Sequence, residues 1–186
     1  MQIKQNRTLL LVQTGVLIAL AIIIPLTMPI KFVAGPFSYT LASHVPIVLA
    51  MFVSPISALA VCIGSVIGFI VGIPNPEIWL RAATHIVWAF FGSFVVRNIF
   101  TDEGGMGAKW TKFSLWALVI NFVHGLLEFL AVYLVFFKQG YSIKGQEVAL
   151  GSLYVGLGLL GGLHGFVDFV LGALIYLALL PVFKKK

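Results

Sequence analysis

Thr111–Phe137 reads TKFSLWALVINFVHGLLEFLAVYLVFF, and this stretch decides the fold. It is long enough to cross a bilayer, yet it carries Asn121, His124 and Glu128 in its middle. On a helix these positions fall at i, i+3 and i+7 and share one face. A carboxylate or imidazole facing hydrocarbon costs several kcal/mol, so that face must look into protein or a wet cavity. The neighbouring segments should therefore supply partners for it.

Composition agrees with a membrane protein. Of the 186 residues, 60% are hydrophobic and 10% charged, where a soluble domain carries about a quarter charged. The chain reads as one domain over residues 1–186, with no room for a separate soluble catalytic domain. The lone Cys62 sits in an apolar run, which excludes a disulfide frame or a cysteine metal site. The first apolar run is too long for a removable leader. The formal charge of +6 does not point to nucleic acid, because most basic residues stand at helix ends.

Working outward, the sequence predicts an all-α bundle of six transmembrane helices, at about twenty apolar residues per crossing. The spans are Leu9–Pro29, Ser38–Val53, Ile56–Ile73, Ile78–Ile99, Phe113–Phe137 and Ser152–Val182. Only Ser54-Pro55 separates the short second and third spans, so a tight turn or two tilted helices are expected there. With the N-terminus inside, eight Lys and Arg fall on the inner side (Lys4, Arg7, Arg97, Lys109, Lys112, Lys184, Lys185 and Lys186). The outer side holds three (Lys31, Lys138 and Lys144), and Arg81 is left within a span. That imbalance places both termini in the cytoplasm. The outer loop Lys31–Phe37, bracketed by Pro29 and Pro36, reads equally as a structured cap over a pocket or a plain connector. Thr101–Lys109 reads as a flexible polar inner loop.

Small residues recur at helical spacing. Ala60, Gly64, Gly68 and Gly72 stripe the third span, and Gly158/Gly162 and Gly161/Gly165 mark the sixth. Such spacing lets helix backbones approach closely, and packing inside the bundle is the expected use. Gly15 and Ala19 form a weaker pair on the first span that could face a partner subunit.

The ionisable residues within the spans sit at comparable depth. Arg81 and His85 are four apart on the fourth span, His124 and Glu128 on the fifth, and His164 and Asp168 on the sixth. His44 lies near Pro46, where it is expected to cap loosened backbone carbonyls. Each residue has an ordinary structural reading. His85 can bridge helices, Glu128 can neutralise Arg81, and Asp168 can hold His164 in one tautomer. Together they are better explained by a polar cavity, since charges inside a membrane are expensive. Trp79, Trp88, Trp116 and Tyr154 lie on or beside these spans. The set suits a small, flat or anionic molecule, with Arg81 for a carboxylate and aromatic faces for a ring. The phosphate-binding pattern G-x-x-x-x-G-K-[ST] is absent, as are H-E-x-x-H and G-x-S-x-G. Uphill transport would therefore draw on protons or on another polypeptide.

In these features the chain resembles the substrate-binding (S) subunits of energy-coupling factor transporters, the bacterial vitamin importers. The resemblance covers the whole length and rests on six short-looped spans, Gly15 with Ala19, and TLASHVPIVLAMFVSPISALAVCIGSVIGF at Thr40–Phe69. It implies a multi-pass plasma-membrane protein that binds a vitamin with high affinity in an outward cavity and is not an enzyme. It also implies docking through the first helix onto a membrane T subunit driven by two cytoplasmic ATPases. Carried over, Arg81, His85, Asn121, His124, Glu128, His164 and Trp79 become substrate-binding residues, Phe37 and Tyr39 the gate, and Gly15 and Ala19 the docking face. Glycine at 15 departs from the usual alanine pair. Gln2 stands where nickel and cobalt members carry histidine, which argues against that branch. No catalytic residue, metal or other cofactor is expected. The likeness is greatest to niacin-type members, with nicotinate as the expected ligand and pantothenate or a pyridoxine- or pyrimidine-type molecule as alternatives. Two competing readings are a stand-alone proton-coupled carrier and an intramembrane metal-dependent enzyme. In the second, His124/Glu128 and His164/Asp168 would be zinc ligands.

Overall fold

The computed structural model describes residues 7–136, 142–143, 146–147 and 149–184. Its long elements are α1 (Arg7–Thr27), α2 (Val45–Val53), α3 (Pro55–Gly72), α4 (Pro76–Val96) and α5 (Met106–Val135). The last helix starts as a short α6 (Leu150–Leu153), widens into a π-helical stretch (Tyr154–Leu160) and continues as α7 (Gly161–Lys184). Two small antiparallel hairpins decorate the bundle: β1 (Lys31–Ala34) with β2 (Phe37–Thr40), and β3 (Ser142–Ile143) with β4 (Gln146–Glu147). Among the described residues, five helices are long and apolar enough to cross a membrane. The molecule is an all-α membrane protein.

The segment expected as a second span, Ser38–Val53, is helical only from Val45, because residues 38–40 pair in β2. Nine helical residues rise about 14 Å, roughly half the hydrocarbon core. The fifth helix begins at Met106, seven residues before the expected start, so the loop expected over Thr101–Lys109 is partly helical. The expected end of that span, Phe137, lies outside the described residues, as do Lys4, Lys138, Lys144, Lys185 and Lys186.

Local chemistry sets the helix starts. Ser54 accepts from the Ser57 amide at 3.0 Å ahead of Pro55, and Asn75 accepts from the Glu77 amide at 3.0 Å ahead of Pro76. Each is a capping side chain followed by proline at the first helical position. Asn75 also donates to the Gly35 carbonyl at 2.9 Å, tying α4 to the hairpin turn. That turn is the pair Gly35-Pro36, and Gly35 takes a φ of 58°, which glycine tolerates without penalty.

The glycine stripes pack helices together. A Cβ at Gly64, Gly68 or Gly72 would meet Ile18, Ile22 and Pro25 of α1 in turn, so α1 and α3 run parallel in close contact. The chain must therefore turn back between them, and α2 makes that return. His44 meets Asp168, Val48 meets Gly172 and Phe52 stacks on Tyr176, an even four-residue register that makes α2 and α7 parallel. Contacts of Arg81 with Glu128, and of Gly92 with Ile120, make α4 and α5 antiparallel. Against α5, the last helix seats Gly158 on Gly125, Gly161 on Glu128 and Gly165 on Asn121 and His124. Gly15 and Ala19 behave differently: both are exposed, and a Cβ at Gly15 would meet nothing within 4 Å. Phe52, Phe100, Phe113, Phe169 and Trp88 form the apolar core, and the polar groups gather between that core and the β1–β2 hairpin.

Candidate functional site

A cavity of about 280 Å³, counting its open part, is lined by Ser38, Ser43, His44, Phe69, Ile78, Arg81, Ala82, His85, His124, Glu128 and His164. The enclosed space within it is only about 10 Å³, room for about one water, so its own side chains nearly fill it. Five of the seven substrate-binding residues expected from sequence line it: Arg81, His85, His124, Glu128 and His164. The other two do not. Asn121 donates to the Ala117 carbonyl at 2.8 Å and presents Oδ1 to His124 Nδ1 at 3.4 Å, one layer below. Trp79 packs with Phe69, Ile73, Ile78 and Ala82 and donates its indole N–H to the Ile73 carbonyl at 2.6 Å.

Arg81 meets its partners within the protein, Glu128 among them. Nη1 donates to the Pro36 carbonyl and to Ser38 Oγ, and Nη2 donates to the Ser38 carbonyl and to Glu128 Oε2. All four terminal N–H groups are thus engaged by protein, and only Nε lacks a partner. Arg81 fastens the hairpin to α4 and α5, and Glu128 is its counter-ion at 2.8 Å. Glu128 Oε1 lies 3.4 Å from His85 Nε2 and 3.2 Å from His124 Nε2, though His124 Nε2 is not aligned for a hydrogen bond.

His44 is the residue that sequence reasoning undervalued. Its ring stands 4.8 Å from His85, 4.8 Å from His124 and 5.1 Å from His164, centroid to centroid. It caps no carbonyl, contrary to expectation: Nδ1 donates to Asp168 Oδ2 at 3.0 Å, as does its own amide. Asp168 also accepts from the Ala42 amide at 2.9 Å, and Ala42 is a non-glycine residue at φ 64°. Asp168 therefore orients His44 more than His164, whose Nε2 is 3.8 Å away. Backbone strain of this kind concentrates at functional sites. The available sequence signal was the four-residue pairing of His44–Val48–Phe52 with Asp168–Gly172–Tyr176. It becomes visible only when α2 and α7 are known to be neighbours. Trp88 sits 5.3 Å from His124 and 5.5 Å from His85, with its indole nitrogen buried and unpartnered.

The hairpin closes over the last helix. Tyr39 donates from its hydroxyl to the Gly156 carbonyl at 2.8 Å, and its ring meets His164 edge-on at 5.9 Å. Phe37 lies where any side chain on Gly156 would be. Both carbonyl and glycine belong to the π-helical stretch, a widening frequent at functional sites.

No family model matches the chain, and no solved structure matches it. The chain is 36% identical over 171 residues to the niacin transporter NiaX of Lactococcus lactis subsp. cremoris (strain MG1363), covering 90% of this chain and 73% of that protein. A match of that extent makes it a multi-pass bacterial cell-membrane protein of a transport family and not an enzyme. It belongs to the family of that niacin transporter, the vitamin-type substrate-binding subunits of energy-coupling factor transporters.

Proposed function

We propose that this chain is the high-affinity vitamin-binding subunit of an ATP-driven importer, and that its ligand is nicotinate. The observation that carries the reading is the small histidine-lined cavity capped by the β1–β2 hairpin. A flat ring with one carboxylate suits the four imidazoles and the nearby Trp88 indole, and the hairpin must open to admit it. The relative's identity supports the same ligand. Phe37 and Tyr39 act as the gate. The single domain crosses the membrane six times, with the hairpin and short α2 together making the second pass. The N-terminal end of α1 and the C-terminal end of α7 then lie in the cytoplasm, as the Lys and Arg imbalance favours. The exposed Gly15 and Ala19 dock onto a membrane T subunit coupled to two ATPases.

Purified protein titrated with nicotinate tests the ligand directly. Trp88 beside the cavity should give a saturable fluorescence change in the sub-micromolar range. No saturable response to nicotinate, with one to pantothenate or pyridoxine, would overturn the niacin assignment. Uptake by this chain in cells lacking any ATPase partner would overturn the binding-subunit assignment.

A further inference from the structure

We propose that His44, His85 and His124 form a three-imidazole site for a divalent transition-metal ion of the zinc class, with an open position that takes the ligand's carboxylate. The metal site stands on its own geometry; the carboxylate step rests on the vitamin-binding reading above. It departs from the expectation, drawn from sequence, of no metal.

The three histidines come from the start of α2, from α4 and from α5, and one ring nitrogen from each lies within 4.8 Å of the others. All three are buried. The centre of a triangle with 4.8 Å sides is about 2.8 Å from each corner, against about 2.0–2.1 Å for a zinc–imidazole bond. Side-chain rotations that bring each nitrogen in by less than an ångström complete the site. Each ring also has a nitrogen facing an oxygen acceptor: His44 to Asp168 at 3.0 Å, His85 to Glu128 at 3.4 Å and His124 to Asn121 at 3.4 Å. Metal-bound histidines are held by such contacts, which set the tautomer and the ring plane. His85 Nδ1 and His124 Nε2 are buried with no hydrogen-bond partner, a cost that coordination to an ion would remove.

Charge points the same way. With imidazoles counted neutral, Arg81, Glu128 and Asp168 sum to one negative charge, and the four terminal N–H groups of Arg81 are already engaged. A carboxylate entering that environment meets net repulsion and no free guanidinium edge. A divalent ion changes the sum to plus one, and the carboxylate then brings it to zero. Three protein ligands with a vacant fourth position is the arrangement zinc uses where it takes an exchangeable partner.

The test uses the full chain, freed of any histidine tag and stripped with EDTA. Titration with Zn²⁺ by calorimetry should show one equivalent bound, and Co²⁺ should give visible bands of a low-coordinate nitrogen site. His85→Ala should abolish the bands. Asp168→Asn should weaken the ion by about 10–100-fold through loss of the His44 contact. Absence of a stoichiometric ion in the unmutated protein, or unchanged bands in a folded His85→Ala protein, would overturn the site. If His85→Ala does not fold, His124→Ala and the unmutated titration decide instead. Nicotinate should shift the cobalt bands and bind the stripped protein measurably more weakly. Equal affinity with and without metal would overturn the carboxylate step. Metal binding with no nicotinate binding to either form would leave the site standing and sink the niacin reading.

Discussion

Arg81 on α4 and Glu128 on α5 form a buried ion pair at 2.8 Å, and the same guanidinium holds the hairpin through Pro36 and Ser38. One cation thus joins two membrane helices to the β1–β2 hairpin. Removing it leaves a buried carboxylate without its partner and the hairpin without its anchor. Arg81→Ala should therefore lower stability by about 3–5 kcal/mol, the usual cost of breaking a buried pair. Thermal unfolding in detergent measures it. Arg81→Met combined with Glu128→Leu should recover much of that loss, because no charge is left alone.

Tyr39→Phe removes the hydrogen bond to the Gly156 carbonyl while keeping the ring against His164. A neutral hydrogen bond contributes about 0.5–1.5 kcal/mol, so nicotinate should dissociate about 2–10-fold faster. Stopped-flow fluorescence measures the rate. An unchanged rate would show that the hairpin does not control exit.

Gly68 and Gly15 should respond oppositely to the same change. A Cβ at Gly68 would come within 2.7 Å of the Ile22 carbonyl, so Gly68→Val forces α1 from α3. Overpacking of this kind costs about 1–3 kcal/mol or more, and a sharply lower melting temperature is expected. Gly15 meets nothing, so Gly15→Val should leave melting and ligand binding unchanged. If α1 docks as proposed, co-purification of the T subunit should nevertheless fall, since close helix approach needs small residues.

Gly125→Ala tests the contact between α5 and the π-helical stretch that carries Gly156. Its Cβ would overlap the Gly158 carbonyl in the π-helical stretch, and neither backbone has room to give. The change should displace the floor under Tyr39 and Phe37. Nicotinate affinity and thermal stability should fall together, measured by fluorescence titration and by melting.

From the sequence alone one could read the membrane character, five of the six expected spans as long helices, and the polar face of the central stretch. These follow from hydropathy and from spacing within one helix, which the chain displays directly. The four-residue pairs Arg81/His85, His124/Glu128 and His164/Asp168 were visible for the same reason. What belongs between helices was not. Only tertiary packing decided that Arg81 spends its terminal N–H groups on the hairpin and Glu128, and that Asp168 reaches across to His44. The same packing shortened the expected second span to nine helical residues, because residues 38–40 gain backbone partners in the hairpin. Periodicity fixes which face of a helix is polar; the neighbour that face meets is set by how six segments of chain pack side by side.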